Sequence, residues 1–335
     1  MNPVEEVALP SKAAFDEQVR QAYRPVVIRG MARDWPLVRL GRTDPAEALR
    51  YCASFDSGAA ADIMLAPPTE GGRFFYRNDM TGFNFERRKG TLGQLAGELA
   101  RLDGQDDAPG MYAGAADLHD HLPGFASDHP LPLAEEQDGS QARIWMGNAT
   151  QVATHFDLSD NFAVVAVGAR QFRLFPPDVT KHLYIGPLDV TPAGQPVSMV
   201  NPLEPDLKRY PDYEKAEAQA LYAELEPGDA IYVPTLWWHH VAATSPINIL
   251  VNYWHNNSER GGPFLALIHA LMSVRDLPAG QREGWRAWFD HFIFGEGAGS
   301  AADHLPAHIN RITGPPSEER SETMRRFIVQ VLSAR

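Results

Sequence analysis

The chain of 335 residues has 44% hydrophobic and 22% charged residues, the balance of a globular protein rather than a disordered or fibrous one, and this length allows one large β-rich domain with extensions. A formal net charge of −13 opposes a phosphate backbone and disfavours nucleic acid as a partner. The single cysteine, Cys52, excludes internal disulfides and thiolate clusters, so a metal would have to be held by His, Asp or Glu; with no membrane span and no basic leader before the first apolar residues, the expected location is the cytoplasm.

Lys12 to Tyr23 reads as a helix and Pro25 to Gly30 as a short buried strand closed by glycine. Asp34 to Val38 suggests a turn, and Asp44 to Cys52 a further helix. Phe74-Phe75-Tyr76, followed by Asn78 to Phe85, is aromatic-rich with turn residues inside, a hairpin packed in the core or a loop lining a pocket. Arg87-Arg88-Lys89, the densest basic run, is expected in a solvated turn. Helical spacing returns at Leu92 to Leu102. Gln105 to Gln137 is loop-like, and its His119-Asp120-His121, set among Gly114, Pro123, Gly124 and Pro130, reads as solvated rather than chelating.

Residues 141 to 254 behave differently. Short apolar runs at Ile144 to Met146, Phe162 to Val167, Phe172 to Phe175, Ala230 to Val233 and Ile247 to Trp254 are separated by Gly, Pro and Asn, the pattern of an all-β sandwich or barrel. Residues 178 to 215 carry much proline and little periodicity, a long insertion of the kind that shapes function. Beyond Trp254, apolar residues recur at helical spacing through Phe264 to Met272, Trp285 to Phe292 and a last helix at Glu322 to Leu332. Such faces require burial, either on the barrel or in a homodimer of helices.

His155 and Asp157 stand two apart, so on a strand both side chains leave one face, and a later histidine would complete two imidazoles and one carboxylate around a metal. The run Trp237-Trp238-His239-His240 offers that histidine, though strand alternation lets only one of the pair face the metal. The two tryptophans are expected to wall the approach and keep it dry. Arg170, just past Gly168, is either a carboxylate-binding guanidinium inside the barrel or an exposed arginine in a hairpin turn.

His155-x-Asp157, then Asn161, Gly168, Arg170, Leu174-Phe175-Pro176-Pro177, Gly228-Asp229-x-x-Tyr232-x-Pro234, Trp237-Trp238-His239-His240 and Val251-Asn252-x-Trp254, resembles in order and spacing the cupin-like JmjC-type hydroxylases. The chain is similar to the members acting on an asparagine of hypoxia-inducible factor and on wybutosine in tRNA, most densely from Ile144 to Trp254. The resemblance implies a mainly β fold with helical additions, a double-stranded β-helix (jelly-roll, cupin-like) core with N- and C-terminal helices. Its regions would be an N-terminal α/β part over 1–135, the core over 136–256 with the insertion at 178–215, and a helical part over 257–335 that could dimerise. It also implies Fe(II) held by His155, Asp157 and His239, with 2-oxoglutarate anchored by Arg170 near Asn161, Asn252 and Trp254. Val152 stands where the asparaginyl hydroxylase has a threonine hydroxyl. The expected activity is hydroxylation of a protein or peptide side chain or of a small molecule. The other reading is a non-catalytic module with the same barrel.

Overall fold

Asp160–Val167 is an almost unbroken apolar run because both faces of that strand are covered, a condition met only in the middle of a layered fold. The computed structural model describes residues 2–137, 139–192, 194–256 and 262–333. They fall into two compact units, Met1–Asn257 and Ser258–Arg335.

In chain order the strands of the first unit are β1 (Asn2–Pro3), β2 (Glu5–Glu6), β3 (Val26–Ile28), β4 (Ala61–Ala66), β5 (Arg73–Phe74), β6 (Glu86–Gly90), β7 (Gly110–Asp117), β8 (Gln141–Gly147), β9 (Gln151–His155), β10 (Asp160–Val167), β11 (Arg170–Phe175), β12 (Leu221–Leu225), β13 (Ala230–Val233), β14 (Trp238–Ala243) and β15 (Asn248–His255). One sheet has the order β1-β12-β11-β14-β9-β5, the other β2-β3-β13-β10-β15-β8-β7-β4-β6. Strands β8 to β15 alternate between the sheets as β13-β10-β15-β8 facing β12-β11-β14-β9, which is a double-stranded β-helix, the jelly-roll form of an antiparallel sandwich.

Alternation places Ala163, Val165, Phe172, Leu174, Ile231, Val233, Val241 and Leu250 between the sheets as one core. The opposite face of the larger sheet, with Phe162, Val164, Ile249, Val251 and Tyr253, is covered by helices Pro36–Thr43, Pro45–Ala53 and Leu92–Leu102. Each helix start carries a sequence signal. Pro36 and Pro45 sit in first turns, Asp44 accepts from Glu47 N, and Thr91 with Gln94 forms a capping box.

Three expectations are corrected. The helix begins at Pro36, where only a turn was read, because proline at the first helical position starts rather than blocks a helix. Arg87, Arg88 and Lys89 lie on edge strand β6, where exposed cations guard an open sheet edge. The loop-like stretch 105–137 contains β7, eight residues long and paired on both sides. Its glycines hide the strand pattern yet are required there, since a Cβ on Gly114 would stand 2.8 Å from both Trp145 and Tyr112.

The second unit consists of Gly262–Ser273, Ala279–Phe289 continuing as π-helical turns over Asp290–Phe294, and Glu318–Ser333, a longer last helix than expected. The boundary read at residue 257 lies outside the described residues. Trp288 is 62%, Phe327 63% and Phe294 76% exposed. No described helix is long and apolar enough to cross a membrane.

Gly168 turns the chain from β10 into β11 at φ +75°, and a Cβ there would meet Asn248 Oδ1 at 2.3 Å and Ile247 O at 2.5 Å. Gly168→Ala combines left-handed strain with a backbone clash and is expected to cost about 3 kcal/mol, read as a lower urea midpoint with unchanged slope.

Candidate metal centre

His155 ends β9 and His239 lies on β14 directly opposite it in the antiparallel register, so the two imidazoles are cross-strand neighbours with ring centroids 4.4 Å apart. The pairing then slips: Val152 faces Val241, so two residues of β9 stand against the single residue His240. This bulge puts Val152 and His155, three apart, on the inward face and turns Ala153 outward against Phe75, Tyr76 and Val197. Asp157, just past the strand end, brings Oδ2 to 3.7 Å from His239 Nε2. One donor atom from each of His155, Asp157 and His239 fits within 4.8 Å of the others.

Each imidazole is oriented by the carbonyl two residues before it, His155 Nδ1 at 2.8 Å from Ala153 O and His239 Nδ1 at 3.0 Å from Trp237 O. A carbonyl only accepts, so Nδ1 carries the proton and each Nε2 lone pair is free to bind a metal. Burial, with His239 beside it, holds His155 well below its ordinary pKa, so the ring is neutral as a ligand must be. Asp157 is held in turn: Asn161 Nδ2 donates to its Oδ2 at 3.1 Å, and Asn252 Nδ2 donates to Asn161 Oδ1 at 2.7 Å.

Arg170 opens β11 on the inward face, in step with Phe172 and Leu174, so it is not an exposed arginine in a hairpin turn. It is buried, its Nε has no partner, and no carboxylate of the described residues lies within salt-bridge distance. Burial pulls its pKa down to about 10, opposed only by Tyr112. Tyr112, pushed up by burial, is the residue that reading the sequence missed, because β7 was taken for loop. Its ring stacks on Trp145 at 6.1 Å, and Trp145 meets Trp254 edge-on at 6.4 Å. The indole nitrogens of Trp145 and Trp254 and Asn252 Oδ1 are also buried without partners. Unsatisfied buried polar groups are costly, and several at one place mark a site built for a polar ligand.

The remaining candidates separate. His240 points to the outer face of the smaller sheet, where burial with Arg173 and Arg73 pushes its pKa down to about 3. The tryptophans split likewise: Trp237 enters the inner core and donates to Tyr23 O at 2.9 Å, whereas Trp238 lies outside against Phe156 and donates to Thr180 Oγ1 at 2.8 Å. Only the first walls the barrel interior, a correction that strand alternation explains. Asp117, His119 and Asp120 also lie close enough together for a metal, but His119 and Asp120 are exposed and Asp117 is ion-paired with Arg143.

Residues 12–261 match the family described as "Cupin-like domain". The chain is similar to human "HSPB1-associated protein 1", 32% identical over 121 residues, covering 35% of this chain and 24% of that protein. It is 27% identical over 259 residues to human "Bifunctional peptidase and (3S)-lysyl hydroxylase JMJD7", covering 70% of this chain and 77% of that protein. Similarity to mouse "tRNA wybutosine-synthesizing protein 5" is 31% over 130 residues, 38% of each chain. The chain thus spans about a quarter of the first of these relatives.

Buried neutral histidines make acid the weak direction of the fold. Unfolded imidazoles take protons near the ordinary value of 6.5, whereas His155 and His240 resist to about 4 and about 3, so stability is fully present above pH 6.5 and falls as pH drops through that window. Urea unfolding of the metal-free protein at pH 7.5 and pH 5 is expected to differ by about 4 kcal/mol, about 2 from each histidine, less stable at pH 5.

Proposed function

The chain belongs to the cupin-like domain family, and we propose that it is a JmjC-type oxygenase that uses Fe(II) and 2-oxoglutarate to hydroxylate a protein or peptide side chain or a small molecule. The observation that carries this reading is the convergence of His155, Asp157 and His239 beside a buried arginine that lacks a counterion. A hydroxylase-type oxygenase has support at the family level, from membership and from relatives that include a lysyl hydroxylase.

In this proposal His155, Asp157 and His239 would hold the iron through one imidazole nitrogen each and one carboxylate oxygen. Arg170 takes the distal carboxylate of 2-oxoglutarate, with the Tyr112 hydroxyl as a second donor in place of the side chain that Val152 cannot provide. Asn161 and Asn252 fix the Asp157 carboxylate and line the co-substrate's place. Trp254 and Trp145 offer indole donors and exclude water. When bound, iron and 2-oxoglutarate supply the oxidation: one oxygen atom of O₂ converts 2-oxoglutarate to succinate and CO₂ and the other enters the substrate as hydroxyl. A non-catalytic module would gain nothing from a half-open site of two histidines and one carboxylate.

The net charge of −13 favours a protein or small-molecule substrate over nucleic acid in this reading, and the lone cysteine fits a reducing cytoplasm. We further infer that the region from 257 onward is a homodimerisation element, supported by the apolar faces of its described helices. Light scattering of the full chain should then give twice the 37.1 kDa chain mass, and Trp288→Glu with Phe327→Glu should halve it.

The test of the activity is succinate formation from 2-oxoglutarate by iron-loaded protein, slow without substrate. Asp157→Ala should lower it at least 100-fold together with metal binding, whereas Arg170→Ala should keep the metal and raise the KM for 2-oxoglutarate about 10- to 100-fold. Iron-loaded wild type that neither binds nor consumes 2-oxoglutarate would refute the proposal.

A further inference from the structure

The two metal-binding segments, 155–157 and 239, are joined through an irregular turn. Residues Pro234 to Trp237 close a turn with Trp237 N donating to Pro234 O at 3.2 Å, and its third residue, Leu236, sits at φ +65°. A branched side chain in the left-handed region is strained, by roughly 1–3 kcal/mol, and persists only where neighbours over-determine it. Four bonds do so here. Leu236 N and Thr235 Oγ1 donate to Asp157 O at 3.0 and 3.2 Å, Tyr23 OH donates to Thr235 O at 2.7 Å, and Thr235 N donates to Asp160 Oδ1 at 2.8 Å.

Asp160 is the hub of this set. While Oδ1 holds the turn, Oδ2 accepts Tyr232 OH at 2.9 Å and is faced by Arg20 Nε at 3.8 Å and His255 Nε2 at 3.6 Å. The carboxylate therefore fixes the turn from one side while Asp157's own carbonyl fixes it from the other. Nothing in the barrel's apolar packing requires a carboxylate at the first position of β10.

We propose that Asp160 is a positioning residue for the metal centre: it holds the strained Thr235–Leu236 turn so that His239 meets His155 and Asp157 at ligand distance. This rests on the proposed reading of the three residues as metal ligands. Groups that orient ligands in this way typically alter metal affinity by about 10- to 100-fold when removed.

Co(II) titration of the metal-free full chain, followed by its visible absorption, tests the proposal without turnover. Asp160→Ala should weaken Co(II) binding at least 10-fold. Asp160→Asn keeps an acceptor for Thr235 N and should stay within about threefold of wild type. Thr235→Ala, a half-exposed change that spares the fold, should weaken binding about three- to tenfold by releasing Asp157 O. Arg20→Gln removes a charge facing Asp160 but no bond to the turn, and should leave affinity within twofold. Wild-type affinity in both Asp160→Ala and Thr235→Ala would overturn the positioning role, as would equal losses in the alanine and asparagine variants. Should Asp160→Ala fail to fold, Thr235→Ala and Asp160→Asn decide alone. Failure of wild type itself to bind Co(II) would instead sink the reading of the three ligands, and the positioning role with it.

Discussion

Everything at the centre depends on one cross-strand contact, the pairing of His155 on β9 with His239 on β14 in the middle of the smaller sheet. Directly opposed residues in an antiparallel pair hold their Cβ atoms about 5 Å apart, which brings the two imidazoles side by side on one face. The adjoining bulge has a second effect, rotating Val152 inward and Ala153 outward, so that the same strand faces the barrel interior and also receives Phe75 and Tyr76 of the aromatic stretch, which the Tyr76–Phe83 bridge folds into a hairpin. A uniform register would have sent one of these to the wrong face. Bulges near functional sites commonly re-aim side chains in this manner.

The interior beside His155, Asp157 and His239 is a costly arrangement for a chain that had only stability to satisfy. Among the described residues no carboxylate lies within salt-bridge distance of buried Arg170, and two indole nitrogens and an amide oxygen lack partners, and burial pulls the guanidinium's pKa down. Each such group would be cheaper as an apolar residue of similar size. The same features become favourable when an anionic ligand enters, because the low dielectric that penalises a lone charge strengthens a paired one. In a chain of net charge −13, that inward positive charge is a local inversion of the overall field.

Much of this was legible in the sequence, and the losses have physical causes. Ligand types, their spacing and the strand runs of 141–254 survive in a single chain because period-2 alternation and His-x-Asp are local patterns. The choice between His239 and His240 was not local, since parity alone allows either until a partner strand fixes the face. Tyr112 was invisible because β7 is built of Gly, Ala and Met residues whose small size serves Trp145 and Tyr112 rather than any strand preference. Edge strand β6 escaped for a related cause: its exposed positions carry charged residues, and an edge is kept charged against further pairing. The Asp160–Thr235 bond joins positions 75 apart in sequence and could not be read from either one.

The insertion 178–215 shows why so irregular a segment belongs to the site. It is tied to ligand-bearing strands by Ser198 N donating to Thr154 O at 2.8 Å and by the bridge between Val197 and His155, and to the hairpin by Tyr76 OH donating to Val190 O at 2.6 Å. Arg87 reaches Pro192 O from the far strand of the larger sheet at 3.1 Å, and Trp238 holds Thr180 from β14. Both sheets thus grip one irregular segment beside the strand that carries His155. The barrel fixes His155 and His239 by regular pairing, which tolerates little change. The insertion is held mostly through its backbone, by strand-like bonds at Val197 and Ser198 and by side chains that reach Val190 O and Pro192 O, so most of its own side chains can vary while the grip persists. Selectivity for a substrate is therefore expected to be written in the insertion and the hairpin, and the oxidation chemistry in the strands beneath them.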